Sequence, residues 1–184
     1  MPSIPDIVVH YACGAPFQSM MDLDAAGREA VLLEGRVSYP ERFRDPTYVD
    51  TRTRVEAEMY RQFVGAGGVP LRQRPHYAIL GRSLRSEAAA TPGKRAYVLR
   101  REQLSQSCAS FTWGDSFTFD PAYRLLTGKG HPIASGRVYR WSELSHVLER
   151  WADDTPRPAW QELEIQLWFD PAPEDYEVVE LGSC

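Results

Sequence analysis

The run Trp160 to Phe169 reads Trp-Gln-Glu-Leu-Glu-Ile-Gln-Leu-Trp-Phe and places two carboxylates two residues apart. Alternate side chains of a strand share one face and stand about 6.6 Å apart along it. Leu163, Ile165, Leu167 and Phe169 then face a core, and Glu162, Glu164, Gln166 and Trp168 face the other way. Side by side, such carboxylates can steady a developing positive charge or accept a proton. A structural strand with a solvated polar face carries the same alternation. A second candidate nucleophile is Cys13, three residues after His10. Its ordinary reading is a small packing residue at a strand end.

The elements that must position these groups follow from periodicity. Ile7-Val8-Val9-His10-Tyr11 is a β-branched first strand, closed by Cys13-Gly14-Ala15-Pro16. Asp24 to Leu33 has helical spacing and ends at Gly35. Asp50 or Thr51 is the expected cap of a longer helix, whose apolar positions are Val55, Met59, Phe63 and Val64. Gly65-Ala66-Gly67-Gly68 stops that helix and is a C-cap, not a phosphate-binding loop. Strands are predicted at His76 to Leu80, Ala96 to Leu99, Cys108 to Trp113 and Arg137 to Tyr139. Gly128-Lys129-Gly130 is a turn, because a P-loop would need an upstream Gly and a following Ser or Thr. Ser142 is the expected cap of a last helix with the stripe Leu144, Val147, Leu148, Trp151. A Pro-rich turn at Asp154 to Pro158 precedes strands at Glu162 to Phe169 and Tyr176 to Leu181. The expected class is α+β, helices early and antiparallel strands later, in a single domain over 1–184.

The order of these pieces carries a resemblance. A strand with His10-Tyr11 is followed by a helix bearing Arg52 and Arg54, then Gly67-Gly68, then Pro75-His76-Tyr77 running to Gly81-Arg82-Ser83. Ser110-Phe111-Thr112 and the late Glu-x-Glu strand complete the set. The chain thereby resembles the ADP-ribosyltransferase superfamily, in particular the DarT family of nucleic-acid-modifying toxins, from about Ile7 to Phe169. It departs from the family where Tyr11-Ala12-Cys13 follows the first-strand histidine, and where no Pro-Met follows Arg82-Ser83.

The resemblance implies early helices packed on two antiparallel-rich sheets with a central NAD cleft. It implies an NAD-dependent mono-ADP-ribosyltransferase, a glycosyltransferase by class. Glu164 would be catalytic together with Arg52 or Arg54, between which the sequence does not choose. His10, Tyr11, Tyr77, Ser110 and Glu162 would contact NAD, which is a substrate here, and no metal would take part. The acceptor implied is a nucleic-acid base, with a protein side chain as the alternative. The biological setting implied is a DNA-binding toxin of a toxin–antitoxin or antiviral (anti-phage) defence system, with an antitoxin or immunity protein as partner. Cleaving the nicotinamide–ribose bond builds positive charge on the sugar, as in glycoside hydrolysis. A nearby carboxylate suits that charge, and an arginine suits the diphosphate.

Composition limits the alternatives. The chain has 184 residues, of which 43% are hydrophobic and 25% charged. No apolar run approaches the roughly 20 residues of a membrane span. The opening Met1-Pro2-Ser3-Ile4-Pro5-Asp6 has no secretory pattern, so the expected location is the cytoplasm and no membrane partner is expected. Three cysteines and four histidines without paired spacing argue against a disulfide framework or a zinc site. The net charge of −4 argues against general DNA coating, yet charge is unevenly spread. Eight basic residues between Arg72 and Arg101 (Arg72, Arg74, Arg82, Arg85, Lys94, Arg95, Arg100, Arg101) face the single acid Glu87. Eleven acids after Trp141 face only Arg150 and Arg157. The basic stretch supports a second reading, a non-catalytic module that grips nucleic-acid phosphates. A cysteine hydrolase built on Cys13 and a histidine is a third.

Overall fold

The structure is a computed structural model that describes residues 4–35, 40–88, 93–127, 135–151 and 163–181. Among these residues, seven strands form one antiparallel sheet: β1 (Ile7–Cys13), β2 (His76–Leu80), β3 (Lys94–Arg100), β4 (Ala109–Trp113), β5 (Val138–Arg140), β6 (Leu163–Leu167) and β7 (Tyr176–Glu180). Their order across the sheet is β5-β4-β6-β2-β1-β3-β7. The α+β class is as expected. Among the described residues the strands make one continuous sheet in place of the two implied by the resemblance.

The helices are α1 (Ala25–Leu33), α2 (Pro40–Arg44), α3 (Pro46–Gly65), α4 (Leu84–Ala88), α5 (Pro121–Thr127) and α6 (Leu144–Trp151). They interleave with the strands instead of gathering near the start. The helical spacing from Asp24 is α1, with Asp24 itself as the cap, accepting the Gly27 N–H at 2.7 Å. The long helix α3 begins before the expected Asp50 or Thr51. Asp45 is its cap, accepting the Thr47 N–H at 2.8 Å, and Pro46 opens the first turn, where its missing N–H costs nothing. The Gly cluster ends α3 as expected: Gly67 takes φ +90°, and Gly68 lies flat against the Phe63 ring. Ser142 does not cap α6. A short 3-10 turn, Trp141–Glu143, leads in, and the Glu143 carboxylate accepts the Arg140 N–H at 2.8 Å.

Both faces of the sheet are covered. On one, Val8, Ala78, Leu80, Phe111, Leu163, Ile165 and Leu167 pack against Leu144, Val147 and Leu148 of α6, with Phe169 at the margin. On the other, α3 lays Val55, Met59 and Phe63 over Trp168 and Val138. The expected stripe of α3 is therefore real except at Val64, which is exposed. The other row of β6 is interior as well, which excludes the solvated alternative: Gln166 and Trp168 are fully buried beneath α3. Phe63 stacks on the Trp168 ring at 5.4 Å. Each such apolar side chain contributes about 1.5–3 kcal/mol by burial, so α3 is anchored over the centre of the sheet.

Candidate functional site

Glu164 sits mid-sheet, opposite Ile79 of β2 on one side and Thr112 of β4 on the other. Gln166 follows two residues later, opposite Tyr77 and Ser110. A polar chain joins these positions. The Trp168 indole N–H donates to Ser110 Oγ at 2.8 Å, and Ser110 donates to Gln166 Oε1 at 3.1 Å. The Gln166 amide donates to Thr112 Oγ1 at 3.1 Å and to Glu164 Oε1 at 3.4 Å. Buried polar groups demand such partners, and here each one fixes the next.

From α3 come Arg52 and Glu56, four residues apart on the buried face. Arg52 Nε donates to Glu56 Oε1 at 3.0 Å, and its NH1 donates to Ser116 Oγ at 2.8 Å. The guanidinium lies over the Tyr77 ring, 3.9 Å from the centroid, with Phe117 at 5.2 Å on another side. Tyr77 donates its hydroxyl to Glu56 Oε1 at 3.1 Å. Glu56 Oε2 is buried without a hydrogen-bond partner among the described residues, and Arg74 Nε stands 3.9 Å away. Ser116 and Asp115 arrive on a turn after β4, where Gly114 takes φ +77° and bridges to Leu163. Asp115 caps the following 3-10 turn by accepting the Phe117 N–H at 2.9 Å.

This surrounding sets the protonation of the site. Burial and the Asp115 charge push the Glu164 carboxyl up to about 7, against the pull of Arg52 and hydrogen bonds from Ser116 and Gln166. Burial likewise raises Glu56, with Arg52 opposing. Burial works against the charge of Arg52, but Tyr77, Glu164 and Glu56 outweigh it and hold the guanidinium protonated. Burial pushes the Tyr77 phenol well above its ordinary range, so it remains a donor. A cleft of about 220 Å³ opens beside Glu164 and is lined by Val9, Tyr11, Tyr77, Ala78, Ile79, Ser86 and Lys94.

Glu164, Arg52 and Tyr77 thus converge, and Tyr11 lines the same cleft. The choice between the two arginines falls on Arg52. Arg54 points away from the sheet, its side chain 73% exposed, and faces Asp120 at 3.7 Å. Ser110 lies below Gln166 and is fully buried, so it supports the site and does not line the cleft. Glu162 lies outside the described residues.

His10 is not in the site. Strand alternation turns it to the α6 side of the sheet, where it stacks on Phe17 at 4.6 Å. The Phe17 N–H donates to Nε2 at 3.2 Å, which leaves Nδ1 to donate to the Tyr77 carbonyl at 2.7 Å. The ring replaces a ladder bond where β1 and β2 part, after only two paired positions. Burial lowers its pKa to about 4, so it is neutral. Both nitrogens being spent on backbone groups, His10 cannot serve Cys13 as a base, which removes the nearest partner of a cysteine hydrolase.

The basic stretch is also less open than its sequence suggests. Arg72 bonds Asp22 and Asp170, and Arg74 approaches Glu56. Arg82 pairs with Glu87, Arg95 with Glu180, Arg100 with Glu177 and Arg101 with Asp6. Six of the eight basic side chains therefore face carboxylates. Among the described residues, no three His, Cys, Asp or Glu side chains gather as metal ligands do. No helix among them is long and apolar enough to cross a membrane.

Three residues of the site are absent from the sequence reading, Glu56, Asp115 and Ser116, and so is the structural role of Gln166. Glu56 left a trace, because Arg52 and Glu56 fall on the apolar stripe of Val55, Met59 and Phe63. Asp115 and Ser116 left none, since a turn and a cap look alike wherever they occur. The chain matches no protein-family model, no curated protein and no solved structure.

Proposed function

We propose that the chain is an NAD-dependent ADP-ribosyltransferase whose acceptor is a nucleic-acid base. The observation that carries this reading is the convergence of Glu164 with Arg52 and Ser116 beside a cleft that Glu164 and Tyr77 line. At about 220 Å³ the cleft is smaller than the roughly 300–1,000 Å³ of sites that enclose a whole ligand. It suits the nicotinamide-ribose end of the substrate and leaves the adenosine end outside. In the reaction the bond from the ribose C1′ to the nicotinamide nitrogen breaks, and nicotinamide leaves with the electron pair. The acceptor's lone pair then bonds C1′, and its proton passes to a base. Glu164 in its ionised form stabilises the positive sugar and is placed to take that proton. A carboxyl that titrates near 7 is matched to both tasks. Arg52 holds the carboxylate in position through charge and through Ser116.

By the same reading the protein is a toxin or anti-phage effector, restrained by an antitoxin or immunity partner. The test is transfer of label from NAD to oligonucleotide and protein acceptors. Glu164→Gln is expected to lower transfer by about 10²–10³, whereas Arg54→Ala transfers as the wild type does. Unchanged transfer by Glu164→Gln would remove this residue from the chemistry. Oligonucleotide binding that is steeply salt-dependent and consumes no NAD would favour the non-catalytic module instead.

A further inference from the structure

The cations that the fold leaves open lie outside the stretch that the sequence marks as basic. Along the β5 edge a groove of about 480 Å³ runs between the C-terminal half of α3 and the strand, and Arg61, Arg137 and Arg140 line it. A fourth arginine joins them from α5: Arg124 NH1 stands 4.0 Å from where a Cβ on Gly136 would be. Two of the four are held by acids. Glu58 accepts from Arg61 Nε at 2.8 Å, and Glu143 faces Arg140 Nε at 3.8 Å. Exposed pairs of this kind are weak and yield to a better-placed anion. Arg124 and Arg137 face no carboxylate within ion-pair distance among the described residues. The Arg137 guanidinium lies 4.9 Å from the Tyr139 ring centroid, which steadies it at the groove wall.

Four arginines against two carboxylates favour an anionic partner, and the rest of the lining says which kind. Gly65 and Ala66 leave room for a close approach, and no aromatic ring is among the described lining. A protein partner draws most of its affinity from aromatic and arginine anchors set in fitted pockets, which this open, small-residue lining does not provide. An arginine fork instead matches the paired oxygens of a phosphate, and arginines in succession match an anion that repeats. The register sets the distance to the acid. Val138 pairs with Thr112 and Thr112 with Glu164, two inter-strand steps or roughly 10 Å. Arg124 continues the way toward it, because the neighbouring Tyr123 donates to Asp115 Oδ2 at 3.4 Å. We infer that the β5-edge groove binds the phosphodiester backbone of the nucleic acid that carries the acceptor base. The inference rests on the transferase reading for the role of that strand and not for its binding.

The experiment is a salt titration of binding to a dye-labelled single-stranded oligonucleotide, read by fluorescence anisotropy. It compares wild type, Arg124→Gln, Arg137→Gln, their double variant and Arg95→Gln, which removes the same charge from the acid-paired stretch. Each groove variant is expected to weaken binding by about tenfold, the loss of one charged hydrogen bond. The slope of log affinity against log salt falls by about 0.7 for each arginine removed, and Arg95→Gln changes neither quantity. Arg61→Gln, on the exposed side of α3, stands in for a groove variant that does not fold. Unchanged slope in the double variant, an equal loss in Arg95→Gln, or a wild type that binds no oligonucleotide overturns the inference. Polyglutamate that displaces the strand and depends on the same arginines assigns the groove to an acidic protein and also overturns it. Oligonucleotide binding that depends on Arg124 and Arg137 without any NAD turnover overturns the transferase reading alone. Transfer from NAD with an oligonucleotide KM indifferent to both arginines overturns the groove assignment alone.

Discussion

Glu164 and His10 occupy opposite faces of the sheet and respond to acid with opposite sign. The Glu164 carboxyl titrates near 7 in the folded chain against an ordinary 4.5, so the folded state holds an extra proton between those values. Its contribution to stability is full below about pH 4.5 and is lost as pH rises through 7, about 3 kcal/mol in all. His10 is lowered from 6.5 to about 4, so its contribution is full above pH 6.5 and lost as pH falls through 4, again about 3 kcal/mol. Between pH 4.5 and 6.5 the two slopes oppose one another. Glu164→Gln removes only the first. Its melting temperature is expected to exceed the wild type's by roughly 5–10 °C at pH 8 and to match it near pH 4.5. A gap that stays constant across that range would show that Glu164 is not the residue titrating. The gain would accompany lost transfer, the usual relation between a strained site and its neutral replacement.

Helix α3 links packing to the site. A Cβ on Gly68 would come within 2.5 Å of the Phe63 ring, and Phe63 is stacked on Trp168. Gly68→Ala must therefore move the ring, at a cost of about 1–3 kcal/mol. Thermal melting is expected to fall by roughly 2–4 °C per kcal/mol, and label transfer should fall with it, because Trp168 supports Ser110 and Gln166. A variant that melts lower with full activity would uncouple the helix from the acid. This element was largely legible in the chain. Val55, Met59 and Phe63 mark its face, and the glycines mark its end. Its start was less legible, because Asp45, Asp50 and Thr51 are all residue types that cap helices and only the fold selects Asp45. The buried second face of β6 was not legible, since Glu164, Gln166 and Trp168 alternate as a solvated row does. Only the cover supplied by α3 makes them interior, and that is a tertiary fact. The same holds for the turn at Gly114, whose place beside Leu163 depends on strands far apart in the chain.

At the scale of the whole sheet, the described residues leave two edges, and each is protected differently. At the β5 edge, Gln62 of α3 accepts the Val138 N–H at 3.0 Å and donates to the Gly136 carbonyl at 3.2 Å, so a helix side chain takes the place of a neighbouring strand. At the β7 edge the protection is charge: Glu177 and Glu180 pair with Arg100 and Arg95, while Val178 is 51% exposed between them. Charged edges discourage pairing with another chain. Replacing both acids, Glu177→Val with Glu180→Val, is expected to cause self-association that light scattering detects within hours of warming. A double variant that stays monodisperse would mean the edge is guarded by something else. The interior offers a different consequence. Trp168, one of five tryptophans, is sealed from water, and its indole N–H leads through Ser110 and Gln166 to Glu164. An indole so placed is a native fluorophore wired to the acid, so proton uptake and ligand arrival there are readable as shifts in its emission colour, with no dye attached.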